Sequence, residues 1–175
     1  MKHRAQDGNG GRARRAARLA LTVQYETETP WVPSRRSLSR WADAALARRN
    51  GAQRDLTVRI VGRTESRTLN RRFRDQDKPT NVLSFRATVR QAEGRRPLGD
   101  LVICAPVVAH EARAQAKTRE AHWAHMIVHG TLHLLGYDHE RLAEARRMER
   151  REIAILTGLG FADPYRMQRP EGAMH

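Results

Sequence analysis

The chain has 175 residues and carries 33 Lys+Arg against 19 Asp+Glu, a formal net charge of +14 at pH 7. This length fits one domain large enough to bury a real core, and the single cysteine, Cys104, excludes an intrachain disulfide and suits a reducing cytosol. No run of about 18 apolar residues is present, so no membrane span is expected. The basic residues are nearly all arginine, the only lysines being Lys2, Lys78 and Lys117. Arginine's planar fork pairs bidentately with phosphate, so a polyanionic partner is favoured and nucleic acid is the first candidate.

Residues 1–18 are Gly- and Arg-rich, with Lys2, Arg4, Arg12, Arg14, Arg15 and Arg18 against Asp7. Such a segment buries no core and is expected to be a disordered basic extension. It lacks the apolar stretch of a secretory signal. A solvated extension, an RNA-binding arm, an organellar presequence and a misassigned start are its alternative readings. Leu19, Leu21, Val23 and Tyr25 alternate as a first strand. Ser34 or Ser37 can cap a helix to about Arg49, with Leu38, Trp41, Ala45 and Leu46 inward and Asn50-Gly51 as its stop. Leu56, Val58 and Ile60 give a second strand. Thr64 opens a short helix expected to bury Leu69 and Phe73, with Pro79 as its breaker. Asn81 to Phe85 reads as a third strand, Gln91 to Pro97 as a polar loop, and Leu98 to Cys104 as a fourth strand around a buried thiol.

Pro106 fits the first turn of a helix running to about Lys117, and Thr118 to Leu135 forms another. A last amphipathic helix is expected from near Glu140, with Leu142, Ala145, Met148, Ile153 and Leu156 as its stripe and Gly158 and Gly160 at its end. Residues 164–175 read as a flexible tail. The expected fold is α+β: a small mixed four-stranded sheet covered by helices, in one domain over residues 19–163.

The most informative stretch is HGTLHLLGYDH, residues 129–139. His129 and His133 stand four apart, on one helix face. Gly136 can take the left-handed conformation that ends a helix and turns the chain back, bringing in His139. Three neutral imidazoles leave an open fourth position on Zn²⁺, the pattern of a catalytic zincin-like site. His122 and His125 lie in the same narrow arc as His129 and His133, and read as cleft lining, partners of the ligands, or simple packing. The spacing HxxxHxxGxxH also matches that of the metzincin proteases, which carry a general-base glutamate directly after the first histidine. Here that position is Gly130. Asp138 and Glu140 lie across the turn, on the wrong side to replace it.

The histidine motif resembles the signature of the YbeY family, endoribonucleases of rRNA maturation. LNRRFRDQDKPTNVLSF, residues 69–85, and LGDLVICAPVVAHEA, residues 98–112, resemble two further segments of that family, in the same order and spacing. The resemblance implies a compact α+β fold with one metal per chain, taken as zinc, on His129, His133 and His139. It also implies a functional arginine before the TNVLSF strand, here Arg74. It implies cleavage of single-stranded RNA at the 3′ end of 16S rRNA, a role in ribosome quality control, and the small ribosomal subunit and its assembly factors as cytoplasmic partners, with neither membrane attachment nor a disulfide-linked partner. Zinc metallopeptidase and non-catalytic assembly factor with a structural metal are the alternatives.

For phosphodiester cleavage, either water activated at the metal or the RNA 2′-hydroxyl can serve as nucleophile. Arg74 is the candidate for pairing the non-bridging oxygens, and Lys78 a second phosphate contact. Asp100 reads either as a carboxylate orienting a ligand histidine or as the end of a turn. Thr80, Asn81 and Ser84 read as cleft lining or, more simply, strand-end hydrogen bonding. Three Trp, three Tyr and three Phe leave little surface for base stacking, so weak sequence preference is expected.

Overall fold

The computed structural model describes residues 19–46, 53–88 and 95–166. The expectations for residues 1–18, for the end of the first helix at Asn50-Gly51, for residues 91–94 of the Gln91–Pro97 loop and for residues 167–175 lie outside these; the last residues expected in that loop, 95–97, are strand instead, paired to residues 53–55. The elements follow as β1 (Leu19–Glu26), α1 (Arg35–Leu46), β2 (Gln53–Val61), α2 (Arg63–Arg74), β3 (Val82–Arg86), β4 (Arg95–Cys104), α3 (Ala105–Ala114), α4 (Arg119–Leu134) and α5 (Leu142–Gly158). The strands form one mixed sheet in the order β1-β2-β4-β3. β1, β2 and β4 run parallel, and β3 pairs antiparallel to β4 at the edge. This is the expected α+β class.

Period-2 alternation assigns the two faces of the sheet. Leu56, Val58 and Ile60 of β2 join Leu101 and Ile103 of β4 in the main core, with α1 and α4 packed over them. Leu38, Trp41, Ala42, Ala45 and Leu46 are the buried stripe of α1. Ser34 is the residue that caps it, its Oγ accepting the Ser37 amide at 3.2 Å. The opposite face carries a smaller cluster of Val61, Leu83, Val102 and Cys104, under Leu69 of α2 and Val107 of α3. Cys104 is buried there, as expected of an inert thiol.

α2 departs from expectation in two ways. Phe73 is 54% exposed rather than buried. The inward positions are Ser66 and Asn70, one turn apart, and Phe73 falls at the rim, edge-on to Phe85 at 4.9 Å. Its end is set by Asp75 in the left-handed conformation (φ 56°), before Pro79 is reached. The polar inner face has a purpose. Ser66 Oγ donates to the Thr80 carbonyl at 2.9 Å and accepts the Thr80 amide at 3.0 Å, and Asn70 Nδ2 donates to the Lys78 carbonyl at 2.8 Å. These bonds pin the segment between α2 and β3, and with it the position of Arg74 at the helix end.

α5 begins at Leu142 rather than Glu140, and Leu142 is exposed. Met148, Ile155 and Leu156 form its buried stripe together with Glu152. Pro164 and Tyr165, expected to begin a flexible tail, are buried and half-buried respectively, and Arg166 is exposed.

Gly99 sits where the β2–β4 register shifts, with Asp55 opposite Pro97 and Leu56 opposite Gly99. Its φ is +136°, and a Cβ there would lie 2.1 Å from the Phe85 carbonyl oxygen. Gly99→Ala should therefore destabilise the chain by about 2 kcal/mol or more, from backbone strain and displacement of β3. Urea denaturation would read this as a lowered midpoint at unchanged slope.

Candidate metal centre

α4 is the element on which the site is built. Thr118 caps its first turn, its Oγ1 accepting the Ala121 amide at 3.1 Å. Trp123, Ile127, Val128 and Leu132 bury one side in the main core. At its end, Gly136 adopts a φ of +98°, and the Gly136 and Tyr137 amides bond back to the His133 and Leu132 carbonyls. The glycine turn thus works as the sequence implies and returns the chain so that His139 faces His129 and His133.

The ring nitrogens of His129, His133 and His139 lie within 4.8 Å of one another, a group that can hold a metal ion. His129 Nε2 and His133 Nε2 are 3.1 Å apart. A tetrahedral site with Zn–N of 2.0–2.1 Å has ligand nitrogens roughly 3.3 Å apart, so the spacing fits such an ion. Burial, with the charges of His129 and His139, pushes the His133 pKa down to about 4, which keeps the ring neutral and its lone pair available at pH 7. His139 is exposed, so the centre opens to solvent on that side.

The open side is a cleft of about 350 Å³ lined by Arg74, Ser84, Arg86, His133, Asp138, His139 and Glu140. Its walls follow from strand alternation. Ser84 pairs with Leu101, which faces α4, so Ser84 and Arg86 share the α4 side of edge strand β3. Arg86 Nε donates to the His133 carbonyl at 3.1 Å, which fixes that arginine at the end of α4. Arg74 reaches the same cleft from α2, the helix on the other face of the sheet. Asp138 and Glu140, expected on the wrong side of the turn, line the cleft because the Gly136 turn folds them back with His139. The Asp138 carboxylate accepts the His139 amide at 2.7 Å, and that bond holds its pKa below the usual carboxylate range.

The structure decides between the alternative readings of the other candidates. Asp100 is exposed on the face of the sheet opposite Leu101, away from α4, and orients no histidine. Thr80 and Asn81 serve strand-end bonding, Asn81 accepting the Val82 amide and donating to Glu111. Lys78 is exposed and does not line the cleft. His122 and His125 are buried partners rather than cleft lining. His122 Nε2 lies 2.7 Å from Glu111 Oε2. His125 is held below its ordinary pKa by burial, against the opposing pull of Glu152.

Sequence reasoning missed Glu152, Tyr165 and Arg86. Glu152 Oε1 stands 2.5 Å from His129 Nδ1, and the Tyr165 hydroxyl donates to the other carboxylate oxygen. Burial pushes the Glu152 carboxyl up, but the neighbouring His125 and His129 rings outweigh it and hold its pKa at about 2. Burial and the Glu152 charge push the Tyr165 hydroxyl well above its ordinary range. The available signals were a glutamate inside the apolar stripe of α5 and the alternation Val82, Ser84, Arg86.

Gly130, where a metzincin carries its base, is buried against the sheet. A Cβ there would lie 2.8 Å from Leu101 Cδ2 and 3.4 Å from Ser84 Oγ. A glutamate there would have to push aside the buried Leu101 side chain, so packing opposes it.

Comparison with known proteins places these features in a family. The profile described as Endoribonuclease YbeY matches residues 23–160. A Methylococcus capsulatus protein named Endoribonuclease YbeY is 53% identical over 153 residues, covering 87% of this chain and 99% of its own length. A solution structure of a Thermotoga maritima protein aligns at a TM-score of 0.51 with 20% identity, over 89% of this chain and 100% of its own, which supports the fold.

Gly130→Glu should cost more than about 3 kcal/mol, since it adds volume and a carboxylate to a packed helix–sheet contact. Thermal melting should show the loss, and a casein assay should show no gain of peptidase activity.

Proposed function

As this chain belongs to the YbeY family of endoribonucleases, we propose that it cleaves single-stranded RNA at a centre where His129, His133 and His139 hold one zinc ion. Its task in this reading is maturation of the 3′ end of 16S rRNA and quality control of the small ribosomal subunit in the cytoplasm. The observation that carries the reading is the convergence of three imidazoles beside two arginines in one open cleft.

An ion held there would supply Lewis acidity and lower the pKa of a bound water. The chain's own residues supply the remainder. Cleavage of a phosphodiester places extra negative charge on the non-bridging oxygens. Arg74 and Arg86 stand on the cleft wall to pair with it, and a guanidinium does so with a bidentate fork. Arg86 is held by the His133 carbonyl, so its placement does not depend on substrate. Asp138 and Glu140 are the cleft carboxylates available to take a proton from the attacking hydroxyl. The formal charge of +14 favours a polyanion and implies binding that weakens steeply with salt. Phe73, exposed next to Arg74 in sequence and edge-on to Phe85, is an aromatic face on α2. One such face fits weak base preference better than a sequence code.

The metallopeptidase alternative loses its support at Gly130, which supplies no base and where a glutamate would have to displace Leu101. Among the described residues no helix is long and apolar enough to cross a membrane.

Two variants test the reading. His133→Ala should lower both zinc content and cleavage of labelled single-stranded rRNA, and full zinc occupancy would remove it from the ligand set. Arg74→Ala should keep zinc but lower the cleavage rate by about 100-fold or more, the scale of one lost oxyanion contact; wild-type rates would remove Arg74 from the site. RNA binding with no cleavage under any divalent metal would favour the assembly-factor alternative, and cleavage of casein the peptidase.

A further inference from the structure

We propose that Glu152 and Tyr165 form a positioning pair for the metal centre: Glu152 accepts the Nδ1–H of His129 and thereby aims its Nε2 at the ion, while Tyr165 holds the carboxylate in place. The inference rests on the reading of His129 as a ligand and assigns neither residue a contact with substrate.

The geometry comes from two elements distant in sequence. Glu152, on α5, is fully buried. One of its oxygens lies 2.5 Å from His129 Nδ1, and the other accepts from the Tyr165 hydroxyl. That hydroxyl lies 3.3 Å from His125 Nε2, while Glu152 Oε2 is 3.6 Å from the same nitrogen. Tyr165 is itself fixed, its amide bonded to Asp163 Oδ1 at 2.8 Å beside buried Pro164. One proton arrangement satisfies these contacts. His129 donates from Nδ1, Tyr165 donates to the second oxygen, and His125 donates from Nε2 to the tyrosine oxygen.

The arrangement matters because a neutral imidazole has one proton to place. In water histidine favours the Nε2–H form, which would point a proton instead of a lone pair at the ion. An ionised carboxylate at Nδ1 reverses that preference and raises ligand basicity. Tyr165 stops the carboxylate rotating away, so the chain's last described segment bears on the metal centre.

His125, His129 and Glu152 also bring three donor atoms within 4.8 Å, which suggests a second cation site as the rival. A cation there would require His129 to lose both ring protons while its Nε2 serves the first ion. It would also have to displace the Tyr165 hydroxyl from the Glu152 carboxylate. The carboxylate brace needs neither.

The test uses the full chain, with Glu152→Gln and Tyr165→Phe. Long-range ¹H–¹⁵N spectra of the metal-free protein should show His129 as the Nδ1–H form in wild type and shifted toward Nε2–H in both variants. Zinc titration against a chromophoric chelator should show one ion per wild-type chain and a loss of affinity of about 10–100-fold in Glu152→Gln, with a smaller loss in Tyr165→Phe. Should Glu152→Gln fail to fold, Tyr165→Phe, which keeps the carboxylate, decides. An Nε2–H form in wild type, unchanged affinity in the folded variants, or a second zinc lost on Glu152→Gln would each overturn the inference while leaving the three-histidine reading intact. A wild-type chain that binds no zinc would sink both.

Discussion

The close approach of α4 to the sheet governs the rest of the molecule. Gly130 lets the helix lie against Leu101 and Ser84, at a distance where even a Cβ would collide. That contact fixes the rotation of α4 about its axis. With Gly130 and Ile127 turned toward the sheet and core, the 3.6-residue repeat turns His129 and His133 toward the rim, beside edge strand β3. The same rotation places the end of α4 where Arg86 reaches the His133 carbonyl. Burial of Trp123, Ile127, Val128 and Leu132 holds it there, each fully buried large side chain contributing about 1.5–3 kcal/mol. The packing that orients the three histidines also crowds the position of a protease's base, so one constraint shapes the site and narrows its chemistry.

Around this helix the protein buries more polar chemistry than a plain core would hold. Glu152, His122 and His125 are all buried, and among the described residues His122 Nδ1 and His125 Nδ1 find no hydrogen-bond partner. An unpaired buried polar atom costs about 1–3 kcal/mol. Stability alone would favour apolar residues at those positions. The arrangement makes sense as a means of holding the histidine rings of α4 in set orientations: Glu111, itself bonded to Asn81, anchors His122 at one end of the stripe, and Glu152 and Tyr165 anchor His125 and His129 further along. α2 follows a similar logic, using Ser66 and Asn70 to pin the segment that leads into β3 and so to fix where Arg74 stands.

Much of this was legible along the chain. Alternation in β1 and β2, the Ser34 cap, the α1 stripe and the Gly136 turn are local signals, and each appears where its residues indicate. The errors fall where one face of a helix has two candidate inner arcs. In α2, Phe73 yields to Ser66 and Asn70 because the neighbouring segment needs hydrogen bonds more than the core needs another aromatic. In α5, Leu142 precedes the packed turns, and the inner stripe accommodates Glu152 because its charge meets a histidine from α4. Neither outcome is encoded in periodicity, since both depend on what the opposing surface offers.

By itself the sequence determined the three-histidine set, since a four-residue helical step followed by a glycine turn leaves those rings little choice but to converge. It also determined the basic character and the lack of a protease base at position 130. Only the tertiary structure decided what surrounds the centre. Arg86 joins Arg74 through strand alternation at an edge. Asp138 and Glu140 enter the cleft by the return of the chain. Asp100 is turned away by the parity of β4. Glu152 and Tyr165, 23 and 36 residues beyond His129, come to it because α5 packs on α4. Ligand spacing is a local property of a helix, but the partners of a ligand come from other elements, and only packing brings those into contact.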